Sequence, residues 1–223
     1  MPSFDGFRYD DFETLDGSSW RGRDALGGVL ARALRPAIGP DCQSWGVRRR
    51  VELHIARKSL YDFEDPIPVA KLFVYTYDDL AFGFYVEASA KREHDDHYLH
   101  WRNFRDRIQE TSALRDALTH AVTKHDLGIT DYYHRHDRKS PLGRFRSSKG
   151  MLQFAPRETD NWRDSSVSEL ADAVAALSGD EWVNLHIYAS IGKEAAIEMG
   201  KDVVDFILPV LDDLVPVYLE TIA

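Results

Sequence analysis

Three stretches of this chain change character at every second residue, and that period decides what it can fold into. In VELHIA, Val51, Leu53 and Ile55 alternate with Glu52, His54 and Ala56. In EWVNLHIYAS, Val183, Leu185, Ile187 and Ala189 alternate with Asn184, His186 and Tyr188. LAFGFYVEAS repeats the pattern, with Phe82, Phe84 and Val86 on one parity and Tyr85 and Glu87 on the other. A strand turns successive side chains to opposite faces, so each stretch predicts a strand with one face on a core. AKLFVYTY, rich in aromatic and β-branched residues, adds another, and Asp78-Asp79 marks the turn of a hairpin with the strand that follows. Short connections of this kind favour antiparallel pairing. Residues 129–134 and 151–155 are further strand candidates, for about five or six in all.

Helical spacing fills much of the remainder. Residues 18–39 open on serines and repeat Leu26, Val29, Leu30, Ala33 and Ala37, which predicts a helix ended by Pro36 and Gly39. Its internal Gly27-Gly28 pair costs roughly 1 kcal/mol per glycine relative to alanine, which a close packing contact would offset. Helices are expected over about 96–110, 112–125 and SVSELADAVAALSG, and over about 193–221, where Pro209 and Pro216 should kink or divide the run. There Val204, Ile207, Leu211, Leu214 and Tyr218 form an apolar stripe suited to a core or, less simply, to a dimer seam. Strands with helices between and after them, lacking strict βαβ alternation, define an α+β fold, read here as one domain spanning 1–223 with a mainly antiparallel sheet.

Composition removes several classes of function. No run of about eighteen uncharged apolar residues occurs, so no membrane span is expected. The acidic, aromatic start lacks the basic and apolar regions of a secretory signal, and a single cysteine, Cys42, cannot close an internal disulfide. Both features suit a cytoplasmic protein and a passive thiol. The formal net charge of -9 excludes a surface that attracts nucleic acid throughout, so any such contact must be local.

Two candidate sites emerge. If the alternating strands are neighbours, one sheet face presents Glu52, His54, Tyr85, Glu87, Asn184, His186 and Tyr188 together. That set supplies imidazole bases, carboxylates to orient them and aromatic surface for a planar ligand. The alternative is an ordinary polar sheet face. The second candidate is HRHDRKSPLGRFRSSKG, where Arg135, Arg138, Lys139, Arg144, Arg146 and Lys149 stand against Asp137 alone. Phe145 between two arginines offers stacking beside phosphate contacts. A solvated basic loop is the plain alternative.

KREHDDHYLHW spaces His94, His97 and His100 at intervals of three, along one helical stripe. Asp95 or Asp96 ahead of Trp101, Phe104 and Ile108 reads economically as a helix N-terminus. A metal site drawing on those histidines would need ligands from elsewhere, since the HExxH signal is absent. GxSxG and kinase signatures are absent as well, and nothing specifies a cofactor. The reading favoured by these features is a binding or regulatory domain that holds a phosphate-bearing ligand or nucleic acid on the aromatic and polar sheet face, aided by the basic loop. The alternatives are a hydrolase, metal-dependent or not, using Glu52, His54, Glu87 and His186, and an interaction protein that forms a homodimer through its C-terminal helical segment.

Overall fold

The structure, a computed structural model, describes residues 3–13, 20–47, 52–60, 70–88, 99–131, 142–156, 159–177 and 183–223. In chain order the strands are β1 (Cys42–Val47), β2 (Glu52–Arg57), β3 (Lys71–Thr76), β4 (Asp79–Ala88), β5 (Gly128–Asp131), β6 (Arg144–Ser148), β7 (Met151–Ala155), β8 (Arg163–Ser165) and β9 (Val183–Gly192). The helices are α1 (Trp20–Ile38), α2 (Leu99–Gln109), α3 (Ala113–Lys124), α4 (Val167–Ala175), α5 (Lys193–Glu198) and α6 (Val203–Ile222). The fold is α+β, as the patterning predicts, but among the described residues the sheet has nine strands instead of five or six.

All neighbours in the sheet pair antiparallel, in the order β1-β2-β3-β4-β9-β5-β6-β7-β8. Two meanders, β1–β4 and β5–β8, are joined by β9, which arrives late in the chain and pairs along the whole length of β4. The tight turn after β3 sets Thr76 opposite Leu80 and thereby fixes every later pair of that hairpin.

Leu53, Ile55, Leu72, Val74, Phe82, Phe84, Val86, Leu185 and Ile187 all point to one face and are buried in the core. On it lie α1, against β1 and β2, and α6, against β3 and β4, with α2 beside β4. Phe84 stacks on Phe104 of α2 at 5.8 Å between centroids. α1 presents Leu26, Leu30, Leu34 and Ile38, each fully buried, whereas Ala33 and Ala37 face solvent and not the core. Gly27 makes the close contact that its helix cost implied: a Cβ there would lie 2.6 Å from Leu53 Cδ1 and 2.7 Å from Ser44 Oγ.

Prolines punctuate the helices less than expected. α1 runs through Pro36 to Ile38 and is closed by Gly39, at φ 126°, whose N–H donates to the Arg35 carbonyl. A proline in a last turn forfeits only one helical hydrogen bond. The C-terminal run is divided at Gly200, at φ 57°, and both Pro209 and Pro216 lie inside α6. The α6 stripe is core: Ile207, Leu211, Leu214 and Tyr218 are fully buried, with Val204 partly so. That packing uses the surface a dimer seam would need. No described helix is long and apolar enough to cross a membrane.

Candidate functional site

The far face of the sheet, turned away from α1 and α6, carries the residues that the strand parity predicts. One register row runs Trp45, His54, Phe73, Gly83, Tyr188, Gly128, Arg146 and Gln153 across eight strands. The neighbouring row holds Lys71, Tyr85, His186, Thr130 and Arg144. Glu52 pairs with Tyr75 on one side of these rows, and Glu87 with Asn184 on the other. Glu52, His54, Tyr85, Glu87, Asn184, His186 and Tyr188 therefore do share a face, because β2, β3, β4 and β9 are consecutive in the sheet.

Each histidine has its own side-chain partner. His54 Nε2 lies 3.1 Å from Glu52 Oε2, and His186 Nε2 lies 3.1 Å from the Tyr75 hydroxyl. Phe73, opposite His54 in the register, stands between them and meets the His186 ring edge-on at 5.1 Å. Tyr85 tilts over the same imidazole at 4.8 Å, donates its hydroxyl proton to Glu87 Oε2, and carries Lys71 Nζ 4.4 Å from its ring centroid. The group is largely covered: His54 is 5% exposed, His186 3%, Tyr85 5% and Asn184 1%. Tyr75, Tyr188, Glu52 and Glu87 are partly exposed. An imidazole buried among rings and beside a carboxylate is a positioned group, and the accessible layer of the face is aromatic and acidic at this end.

Tyr188 owes its position to two glycines. A Cβ on Gly83 would strike the Ile187 carbonyl oxygen and the Tyr188 Cα, and one on Gly128 would meet the Tyr188 ring at 2.9 Å. The ring therefore lies down over Gly128, toward β6.

The basic stretch does not behave as a loop throughout. Arg144–Ser148 is strand β6, with Arg144 and Arg146 on the far face and Phe145 on the other, 3% exposed and packed against Phe154 at 4.9 Å. Phe145 is thus a core residue and offers no stacking surface between the arginines; alternation within a strand sends it to the opposite side. Arg135, Arg138 and Lys139 lie outside the described residues, as do His94 and His97. His100 is buried on α2, where its Nδ1 accepts from the Ala70 N–H at 3.4 Å. Among the described residues no group of three or more histidine, cysteine or acidic side chains is placed to hold a metal ion.

Trp162, which no sequence pattern indicated, completes the basic end. Its ring lies 4.0 Å from Arg146 Cζ and 5.4 Å from Arg144 Cζ. Arg146 Nε donates to Gln153 Oε1 at 3.1 Å, and Arg144 Nη2 to Asp160 Oδ1 at 2.9 Å. The partners Tyr75 and Phe73 were closer to hand: the two-residue turn after β3 sets their register against β4, and the parity argument then extends to them. Cys42 is fully buried, and burial pushes its thiol up to about 11. No protein family, curated protein or solved structure matches the chain.

Proposed function

We infer that the far face of the sheet binds a phosphate-bearing ligand with planar rings, and that single-stranded nucleic acid is the class it suits best. The observation carrying this reading is the register that sets Tyr188 and Arg146 in one row with only Gly128 between them. Two strand spacings, roughly 10 Å, separate the aromatic from the guanidinium. A nucleotide unit offers a stacking base at one end and an anionic phosphate at the other. Tyr75 extends the aromatic surface away from the arginines, and Arg144 and Trp162 extend the basic end. Base–aromatic stacking tolerates any base, and arginines supply the salt-dependent share of affinity. With the whole chain at -9, this local arrangement is what permits an anionic ligand to approach.

The test is binding of a fluorescent oligothymidylate across a salt series. Arg146→Ala should weaken binding and lower the slope of log affinity against log salt by about one. Tyr188→Ala should cost about 1–3 kcal/mol and leave that slope unchanged. Affinity indifferent to salt and to both substitutions would refute the reading.

A hydrolase is the second reading, favoured by the Glu52–His54 contact, in which a carboxylate orients an imidazole as in a general base. It predicts that His54→Ala and His186→Ala abolish hydrolysis of the bound strand with little change in melting temperature. Loss of stability instead would make both histidines structural, which their burial favours.

A further inference from the structure

We propose that Arg144 and Arg146, braced by the Trp162 indole, form a phosphate subsite that Asp160 occupies in the unliganded chain as an internal stand-in for the anion. This rests on the binding reading above and adds to it where the phosphate sits and what it displaces.

The arginines are two residues apart on β6 and share the far face, so their guanidinium groups reach outward side by side. The stack on Trp162 and the Gln153 contact hold Arg146 in one orientation before any ligand arrives, and Arg146 is exposed. Arg144 is bonded unevenly. Its Nη2 donates both to Asp160 Oδ1 and to the Thr159 carbonyl, while its Nε is buried and finds no acceptor among the described residues. A guanidinium edge presents Nε and Nη2 as a parallel pair suited to two oxygens of one phosphate. A single carboxylate oxygen and a carbonyl crowded on Nη2 use half of that edge, and a buried N–H without an acceptor carries a desolvation cost.

The stand-in is weakly held. The Asp160 side chain is 88% exposed and that of Arg144 34%, so the ion pair sits largely in water. Pairs of this kind are worth no more than about five-fold in an equilibrium constant. The segment is nonetheless placed: Trp162 donates its backbone N–H to the Asp160 carbonyl at 2.9 Å, which ties the acidic residue to the indole that carries the arginines. An arriving phosphate, which as a backbone diester offers one full negative charge and two non-bridging oxygens, would displace the Asp160 carboxylate, uncover the Nε–Nη2 edge and still reach Arg146.

The experiment measures binding of inorganic pyrophosphate and of a twelve-nucleotide oligothymidylate to the full chain and its variants. Asp160→Asn should tighten both about two- to five-fold, because an internal competitor is removed. Asp172→Asn, an equal change of charge at an exposed position on α4, should tighten neither by as much. Arg144→Gln and Arg146→Gln should each weaken both probes about ten-fold or more. In the Arg144→Gln background Asp160→Asn should give no gain, since Asp160 acts through Arg144. A gain no larger than that of Asp172→Asn, or one that persists in the Arg144→Gln background, overturns the stand-in while leaving the face a binding surface. Oligonucleotide binding that ignores both arginines overturns the subsite. Failure of every variant and the wild-type chain to bind either probe overturns this proposal and the binding reading together.

Discussion

The paired glycines of α1 allow the packing argument to be tested against itself. Gly27 and Gly28 are adjacent in one helix, so helix propensity alone predicts the same outcome for both: alanine should stabilise by up to about 1 kcal/mol. Their surroundings differ. A Cβ on Gly28 meets nothing within 4 Å, whereas one on Gly27 would stand 2.6 Å from Leu53 Cδ1, 2.7 Å from Ser44 Oγ and 2.9 Å from Ser44 Cβ. Ordinary carbon contacts lie at about 3.5–4.0 Å, so either α1 lifts from the sheet by roughly 1 Å or Leu53 leaves its rotamer. Leu53 is 1% exposed and has no solvent to swing into. Overpacking of this kind costs about 1–3 kcal/mol, and set against a propensity gain of up to about 1 kcal/mol it leaves Gly27→Ala about 0–2 kcal/mol less stable than wild type. Gly28→Ala should be more stable by about 0.5–1 kcal/mol. The propensity gain is common to both, so the variants differ by the overpacking cost; at about 2–4 °C per kcal/mol for a chain of this size they should melt about 2–12 °C apart, Gly28→Ala above the wild-type chain and Gly27→Ala level with it or below. Circular dichroism melts, with urea titrations to confirm unchanged m values, give the comparison directly. A Gly27→Ala variant as stable as Gly28→Ala would refute the claim that α1 is seated on β1 and β2 through that glycine.

Three further outcomes are expected. Asp213 of α6 receives Lys124 Nζ at 2.7 Å and His125 Nε2 at 2.6 Å, both from the α3 end; burial alone would raise its carboxyl, but these hydrogen bonds and charges more than offset it and hold it low. A depressed carboxylate stabilises above its unfolded value near 4 and loses that contribution as pH falls through its folded value. Melting temperature should therefore drop below about pH 4, and Asp213→Asn, about 1 kcal/mol less stable at neutral pH, should show a shallower drop. Arg23, 3% exposed, donates to the Asp11 carbonyl at 3.0 Å and to Thr76 Oγ1 at 3.3 Å, and Asp11 is itself 1% exposed. Arg23→Ala should cost about 3–5 kcal/mol in a urea titration by removing both the donor to the Asp11 carbonyl and the positive charge that faces the buried Asp11 side chain, and a loss under about 1 kcal/mol would contradict the burial. Cys42, with its thiol near 11 and no exposed surface, should react with a disulfide reagent only as fast as the chain unfolds; rapid labelling of the native protein would count against this.

The sheet face was legible because parity is local: once Leu53, Ile55, Leu185 and Ile187 are assigned inward, His54 and His186 must point the other way wherever their strands sit. Strand order is not local, and the insertion of β9 between β4 and β5 had no signal in either meander. Strands β1 and β6 escaped notice for a physical reason. In β1 the residues facing α1 include Ser44, which meets Gly27, and Gly46, beside Asp24, so the inward side is small where the helix comes close, and the apolar period vanishes. In β6 one inward residue is Ser147, whose hydroxyl accepts from the Leu127 N–H at 2.7 Å and donates to the His125 carbonyl at 2.6 Å. A polar side chain satisfied by backbone imitates a loop in the sequence.

That unnoticed strand changes how the two candidate sites relate. As a loop, the basic stretch would be independent of the sheet face; as β6, it places Arg144 in the row of His186 and Arg146 in the row of Tyr188, with β5 alone between. The residue that β5 contributes to the second row is Gly128, over which Tyr188 lies. Any side chain at that position would lift the ring and fill the space between aromatic and guanidinium. Gly128→Val is therefore a sharper probe of the binding surface than deletion of either partner, because it retains the Tyr188, Arg144 and Arg146 side chains and only displaces the ring from the guanidinium groups. It should weaken oligothymidylate binding about as much as Tyr188→Ala, with the salt slope of the wild-type chain preserved. Unchanged affinity in a folded Gly128→Val variant would mean that the tyrosine and the arginines do not serve one ligand.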